Sequence, residues 1–223
     1  MSEPEFVLLV VAKAPVPGLA KTRLCPPATP DQAAAIAAAA LLDTLDAAAA
    51  TPGAIPLVAL TGSVPAGVRA HEVRSALEPL TVHPQRGDGL AERLVNAHQD
   101  AADRFPGLPV LQIGMDTPQV TPALLAATAR PVLTGAAPAV LGPAADGGWW
   151  ALALRDPRQA RALADVPMSR ADTAARTRLA LGEPMGTAAV LVDVDTMPDA
   201  LAVAADCPDT RFAEAVRAVV VPT

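Results

Sequence analysis

Leu108-Pro109-Val110-Leu111-Gln112-Ile113-Gly114-Met115-Asp116-Thr117-Pro118 lies in the middle of the chain and decides how the rest is read. Val110 to Ile113 is a short, mainly apolar run of the kind shown by a strand buried on both faces. Gly114 ends it, Asp116 follows, and Pro118 stops any continuation. Thr121-Pro122 then supplies an N-cap and a first-turn proline for a helix. Asp116 is therefore expected just past the carboxyl end of a core strand, where open α/β sheets bind ligands. Taken alone, this turn favours the simpler reading of an Asx turn, with the carboxylate bonded to its own backbone.

Outward from this stretch, strand candidates recur at Phe6 to Ala12, Pro56 to Thr61, Leu80 to His83, Ala139 to Gly142, Ala151 to Leu154 and Ala188 to Val192. Helical patterns lie between them. Thr29-Pro30-Asp31-Gln32 reads as a capping box opening a helix that runs to about Ala50, where Thr51-Pro52-Gly53 stops it. Further helices are expected over Ala91 to Arg104, Pro122 to Ala129, Pro157 to Ala164, Ser169 to Leu181, and from Pro198 to about Val220. Gly62 to Pro79 admits either a short helix or an edge strand. Without a linker or a repeat period, this alternation predicts a single three-layer α/β domain over residues 1–223 with a mostly parallel central sheet.

Composition narrows the function. Of 223 residues 52% are hydrophobic, largely alanine, while aromatics are 2% and tyrosine is absent, so the core must be built from Leu, Val, Ala and Ile. A net charge of -6 weighs against nucleic acid as a partner. No apolar run reaches the length of a membrane span, and Met1-Ser2-Glu3-Pro4-Glu5 lacks the basic start of a signal peptide, so a cytoplasmic protein is expected. Cys25 and Cys207 form no CxxC pair, and His71, His83 and His98 have no metal-ligand spacing.

The chain has only two lysines, Lys13 and Lys21, and both fall in the loop after the first strand, with Thr22 and Arg23 beside them. Pro15, Pro17 and Gly18 fix this backbone. The loop is neither a Walker A nor a GxGxxG element. In a phosphate cradle, its lysines and arginine would supply the charge that glycine-rich loops take from backbone N–H groups. A solvated loop would hold lysines too. Asp88, Asp116, Asp146 and the pair Asp193/Asp195 each follow an apolar run. A parallel sheet would gather Asp88, Asp116 and the last pair at one edge, as a hard cation on a diphosphate requires. Asp146-Gly147-Gly148 reads as a sharp reversal, with Trp149 and Trp150 at its exit. Its carboxylate fits an ordinary turn or an acceptor-side base.

AKAPVPGLAKTRL, QRGDGLAERL, IGMDTP, GPAADGGWWALAL and DVDTMPDAL occur in this order between Val7 and Leu201. Together they resemble the bacterial glycosyltransferase-like family of domain-of-unknown-function type 2064, within the GT-A-fold nucleotide-diphospho-sugar transferases. The resemblance implies a three-layer α/β/α, Rossmann-like fold. It implies Mg²⁺ or Mn²⁺ held by Asp116 and Asp195; Asp193 is expected to matter less, on the reading that alternation turns it to the side opposite Asp195. Lys13, Lys21, Thr22, Arg23, Asp88, Arg93 and Thr117 fall on the nucleotide and phosphate side. Asp146, with Asp116, takes the catalytic role, and Gly147, Gly148 and Trp149 form the acceptor pocket. Three departures stand out. Met115-Asp116-Thr117 carries one carboxylate rather than an acidic pair, Trp149-Trp150 replaces a tyrosine pair, and Pro167-Met168-Ser169 lacks a tryptophan. The implied activity is metal-dependent transfer from a nucleotide-activated donor, foremost of a sugar from a nucleoside-diphosphate sugar to a small-molecule acceptor. The alternative is nucleotidyl transfer of the phospholactate guanylyltransferase kind, with pyrophosphate release. A partner protein without turnover would keep the same fold.

Overall fold

A continuous apolar strand needs cover on both faces, and Phe6–Lys13 receives it as β1. The computed structural model describes residues 5–220; Met1 to Pro4, where most of the N-terminal reading fell, lie outside the described residues, as do residues 221–223. β1 pairs in parallel with β2 (Ala54–Thr61) and β4 (Val110–Gly114), and β2 with β3 (Thr81–Pro84). β5 (Ala139–Pro143) and β6 (Trp149–Leu154) form a hairpin, in which β6 lies antiparallel to both β4 and β5. The short β7 (Gly186–Thr187) runs parallel to β5. The seven-stranded order is β3-β2-β1-β4-β6-β5-β7, and β6 alone is reversed.

Helices fill the two outer layers: α1 (Pro30–Ala49), α2 (Ala70–Leu77), α3 (Leu90–Arg104), α4 (Pro122–Thr134), α5 (Thr173–Leu181), α6 (Met197–Asp206) and α7 (Arg211–Val220). Phe6, Leu8, Val10, Leu111 and Ile113 pack with Leu41, Leu45 and Leu125 of α1 and α4. Val7, Leu9 and Val110, on the alternate positions, pack with Ala97 and Ala101 of α3. The expected three-layer α/β architecture with a mostly parallel sheet is thus the observed one. α1 is long and apolar enough by length and composition to cross a membrane, but 72% of its most apolar window is buried within the protein. It therefore reads as a core helix here, although no single apolar run had marked it as long enough.

Several local expectations change. Ala188 to Val192 is not a strand: only Leu191 bridges to Ala144, because Gly186–Thr187 occupy the place beside Val140 and Leu141. α4 continues through Pro131 to Thr134, where the proline removes a single bond in the last turns before Gly135 caps the helix. Pro157–Asp165 winds as 3-10 helix, and the helix expected from Ser169 begins at Thr173. Of the two possibilities for Gly62 to Pro79, the helix is realised as α2, after a 3-10 turn at Val64–Ala66. The final helical part is two helices, α6 and α7.

One buried titratable group ties α3 to the sheet. His98 is fully buried, with Nε2 3.0 Å from Oε1 of Gln112 on β4. Burial pushes its pKa down from 6.5 to about 4, against a smaller opposing effect of the Gln112 bond. The unfolded chain therefore binds the extra proton between these values, and stability is lost as pH falls from about 6.5 toward 4. Urea unfolding at pH 7 and pH 4.5 should show His98→Gln losing less stability on acidification than the parent, by up to about 3 kcal/mol. Equal losses in both proteins would remove His98 as the cause.

Candidate functional site

Four strand ends meet at one edge of the sheet: β1, β4 and β5 finish there, and the reversed β6 starts there. A crevice runs along this edge in two lobes, one of about 700 Å³ and one of about 360 Å³. Val11, Arg23, Leu90, Met115, Asp116 and Asp195 line both lobes and mark the junction.

Lys13, Lys21, Thr22, Arg23 and Arg93 line the smaller lobe, so the early loop and α3 supply a basic wall. Lys21 adopts a left-handed backbone (φ 48°), which opens the 3-10 turn Thr22–Leu24. Its Nζ lies 2.8 Å from Asp116 Oδ1 and 3.6 Å from Asp195 Oδ1, and donates to the Val194 carbonyl. Arg23 Nη1 is 2.7 Å from Asp195 Oδ2. Lys13 instead donates to the Leu19 carbonyl at 2.6 Å, closing its own loop, and Arg93 Nε donates to Gly87 at 3.0 Å.

The larger lobe is acidic, lined by Asp116, Asp146, Asp193, Asp195 and Asp199. The Asp116 carbonyl accepts the Val194 N–H at 2.8 Å, which draws the last segment against the central turn without strand pairing. Val194 is buried in the cluster of α1, α6 and α7, so Asp193 and Asp195, two residues apart, both reach the lobe. The lesser part expected for Asp193 is therefore not a matter of orientation. Its carboxyl is raised to about 7, first by burial and then by Asp116 and Asp146. Thr117 is 1% exposed and lines the lobe, and its Oγ1 has no hydrogen-bond partner among the described residues.

Asp146 also lines this lobe, while its Oδ1 accepts the Gly148 N–H at 2.8 Å, so the turn is an Asx turn as well. Gly148 and Trp149 line the lobe, and the Trp149 indole donates to Thr177 Oγ1 at 3.1 Å. Gly147 does not join them. It has φ +88°, and a Cβ there would lie 1.9 Å from the Ala171 carbonyl oxygen. That glycine serves close backbone packing rather than an acceptor pocket. Asp88 is likewise absent from the lining of both lobes, and its N–H donates to Glu92 Oε2 at 2.8 Å. Gln112, Arg170 and Asp199 line the larger lobe without having been singled out. Of these only Gln112 had a visible signal, as the one polar side chain inside Val110 to Ile113.

This strand order, with its basic and acidic lobes at the carboxyl edge, defines an α/β/α fold of the GT-A type. The chain belongs to the family of uncharacterized proteins conserved in bacteria known as DUF2064, whose model matches residues 44–170. The match takes in Asp116 and Asp146 but neither the lysine loop nor Asp195. Among solved structures, a protein of Desulfovibrio desulfuricans G20, provisionally named a nucleotide-diphospho-sugar transferase, is similar with a TM-score of 0.78 at 22% identity, over 97% of this chain and 98% of that one. Rv0371c of Mycobacterium tuberculosis H37Rv, solved with manganese, gives 0.52 at 23% identity over 90% and 98%. A CMP:2-keto-3-deoxy-manno-octonic acid synthetase complexed with CTP gives 0.58 at 15% identity over 92% and 98%. At these identities the likeness is one of fold. Comparison with curated proteins gives no match.

Proposed function

We propose that the protein is a cytoplasmic, single-domain, metal-dependent transferase that moves a sugar from a nucleoside-diphosphate sugar to a small-molecule acceptor. The observation that carries this reading is the Lys21 ammonium held between Asp116 and Asp195 where the two lobes meet. Two carboxylates closing on one cation mark the place where positive charge is wanted.

Among the described residues no group of three or more His, Cys, Asp or Glu side chains is arranged around a metal position. The oxygen donors nevertheless fit a hard divalent ion, because Asp116 and Asp195 close on one shared cation and Asp146 and Asp193 line the same lobe. Asp116 and Asp195 would hold Mg²⁺ or Mn²⁺, which would neutralise charge on the donor diphosphate. Lys21 and Arg23, which pair with these carboxylates, would turn to the phosphates, and Lys13 and Arg93 extend the same basic wall. Stabilising charge on the leaving diphosphate is the largest expected contribution to rate. Asp146, across the larger lobe, accepts the proton of the acceptor hydroxyl.

Nucleotidyl transfer is the second reading, favoured by the fold shared with the synthetase solved with CTP. The products separate the two. With Mg²⁺ or Mn²⁺ and a panel of nucleoside-diphosphate sugars, slow release of nucleoside diphosphate without acceptor is expected, because water can enter an open lobe. Pyrophosphate release from nucleoside triphosphates in the presence of phosphorylated acids, with donor sugars inert, would replace the first reading by the second.

A further inference from the structure

β4 carries an anomaly that transfer chemistry at Asp116 does not use. Val110, Leu111 and Ile113 are fully buried, and between them Gln112 is 3% exposed. A buried amide is costly unless it is bonded. Gln112 Oε1 meets His98 Nε2 at 3.0 Å, and His98 Nδ1 is buried without a partner among the described residues. A buried lone pair is tolerated better than a buried N–H, so the proton lies on Nε2 and is donated to Oε1. The amide orientation is thereby fixed, and its NH₂ group has no partner among the described hydrogen bonds. Gln112 nevertheless lines the larger lobe.

Val11, Leu90, Leu94, Trp149 and Met168 line the lobe with it, Val11 and Leu90 at the junction with the smaller lobe, and Ser169 and Arg170 follow Met168. Trp149 is held in place by its bond to Thr177, and Leu90 at the rim is 46% exposed, as a side chain awaiting cover would be. We infer that this end of the lobe is a recognition niche for an apolar ring bearing one carbonyl oxygen, which accepts a hydrogen bond from the Gln112 amide. His98 is the positioning residue behind that amide. Small-molecule sites combine an apolar wall with a few placed polar groups in this way. A polyhydroxylated sugar seated against these apolar side chains would leave most of its hydroxyls on that side unpaired. The inference rests on the larger lobe being the acceptor side, and so names the acceptor's class as a carbonyl-bearing, largely apolar ring compound.

The test uses the whole protein without nucleotide or metal. Saturation-transfer NMR titrations would compare acetophenone with ethylbenzene, which lacks the oxygen, and with methyl β-glucoside. Acetophenone should bind about 2- to 10-fold more tightly than ethylbenzene, the worth of one hydrogen bond. Gln112→Leu should bring that ratio close to one. His98→Leu should lower it too, because the amide is then free to turn; both probes sample the same folded population, so a general loss of stability leaves the ratio unmoved. Trp149→Ala should weaken both ring compounds together. A ratio unchanged in Gln112→Leu, or tighter binding of methyl β-glucoside, would overturn the niche. Displacement of acetophenone by uridine or guanosine would assign it to the donor base and overturn the acceptor assignment. A failed transfer assay leaves the fragment result standing, and failed fragment binding leaves the transfer reading untouched.

Discussion

Asp116→Asn is expected to leave the protein folded and to abolish the metal-dependent binding of nucleoside diphosphates proposed above. The substitution keeps the shape of the side chain and deletes one of the two charges proposed to carry the metal. Lys21 retains Asp195 and the Val194 carbonyl, and the Asp116 backbone still receives the Val194 N–H. The lost ion pair involves a carboxylate that is 44% exposed, so the stability change should stay within about 1 kcal/mol. Binding should suffer far more. Residues that merely orient a metal ligand cost 10- to 100-fold when changed, so loss of a ligand charge should cost about 100-fold or more. Isothermal titration of nucleoside diphosphates with Mn²⁺, beside a urea melt, measures both. Unchanged Mn²⁺-dependent affinity in Asp116→Asn would sink the metal assignment. Asp195→Asn should act in the same direction and also free Arg23.

Gly147→Ala should be the most destabilising small change in the site, although the added atom reaches no proposed ligand. Its φ of +88° is one that an L side chain adopts only with strain, and the Cβ would sit 1.9 Å from a backbone oxygen of Ala171. That oxygen belongs to the segment that the Ala174 N–H pins to the Gly147 carbonyl at 2.9 Å, so it cannot yield as a side chain would. Together strain and clash should cost roughly 3 kcal/mol or more, a fall of about 6–12 °C in Tm for a chain of this size. Gly148→Ala is the control, because its Cβ would meet only the Asp146 carboxylate at 3.0 Å. Thermal melts that place the two variants together would show that the turn and the Ala171 segment separate easily.

Features that depend on neighbours in sequence were legible in it. The capping box forms as read, with Gln32 N–H on Thr29 Oγ1 at 3.2 Å and Thr29 N–H on Gln32 Oε1 at 2.9 Å. Asp116 follows from the strand before it and the proline after it. Apolarity, however, reports burial and not pairing. Ala188 to Val192 looks like a strand, yet Val190 is 63% exposed and two small residues upstream take the ladder position. The partners of Lys21 lie far along the chain at Asp116 and Asp195, and nothing near Lys21 announces them. The need for glycine at 147 is set by Ala171, which has no local mark. Asp-Gly-Gly invited a reading as a binding turn, and only one of its glycines lines the lobe.

The way the crevice is distributed along the chain has an evolutionary consequence. Asp195 apart, every residue that lines the smaller lobe lies within the first 116 positions, whereas the hairpin, the Met168–Ala171 segment and the last carboxylates furnish much of the larger one. Because β6 is reversed, the turn before it projects at the active edge while both of its strands stay anchored in the sheet. Lengthening or rewriting that turn would remodel one end of the crevice without touching the sheet register or the lysine loop. The architecture thus allows one end of the crevice to diversify among descendants while the basic lobe is inherited intact.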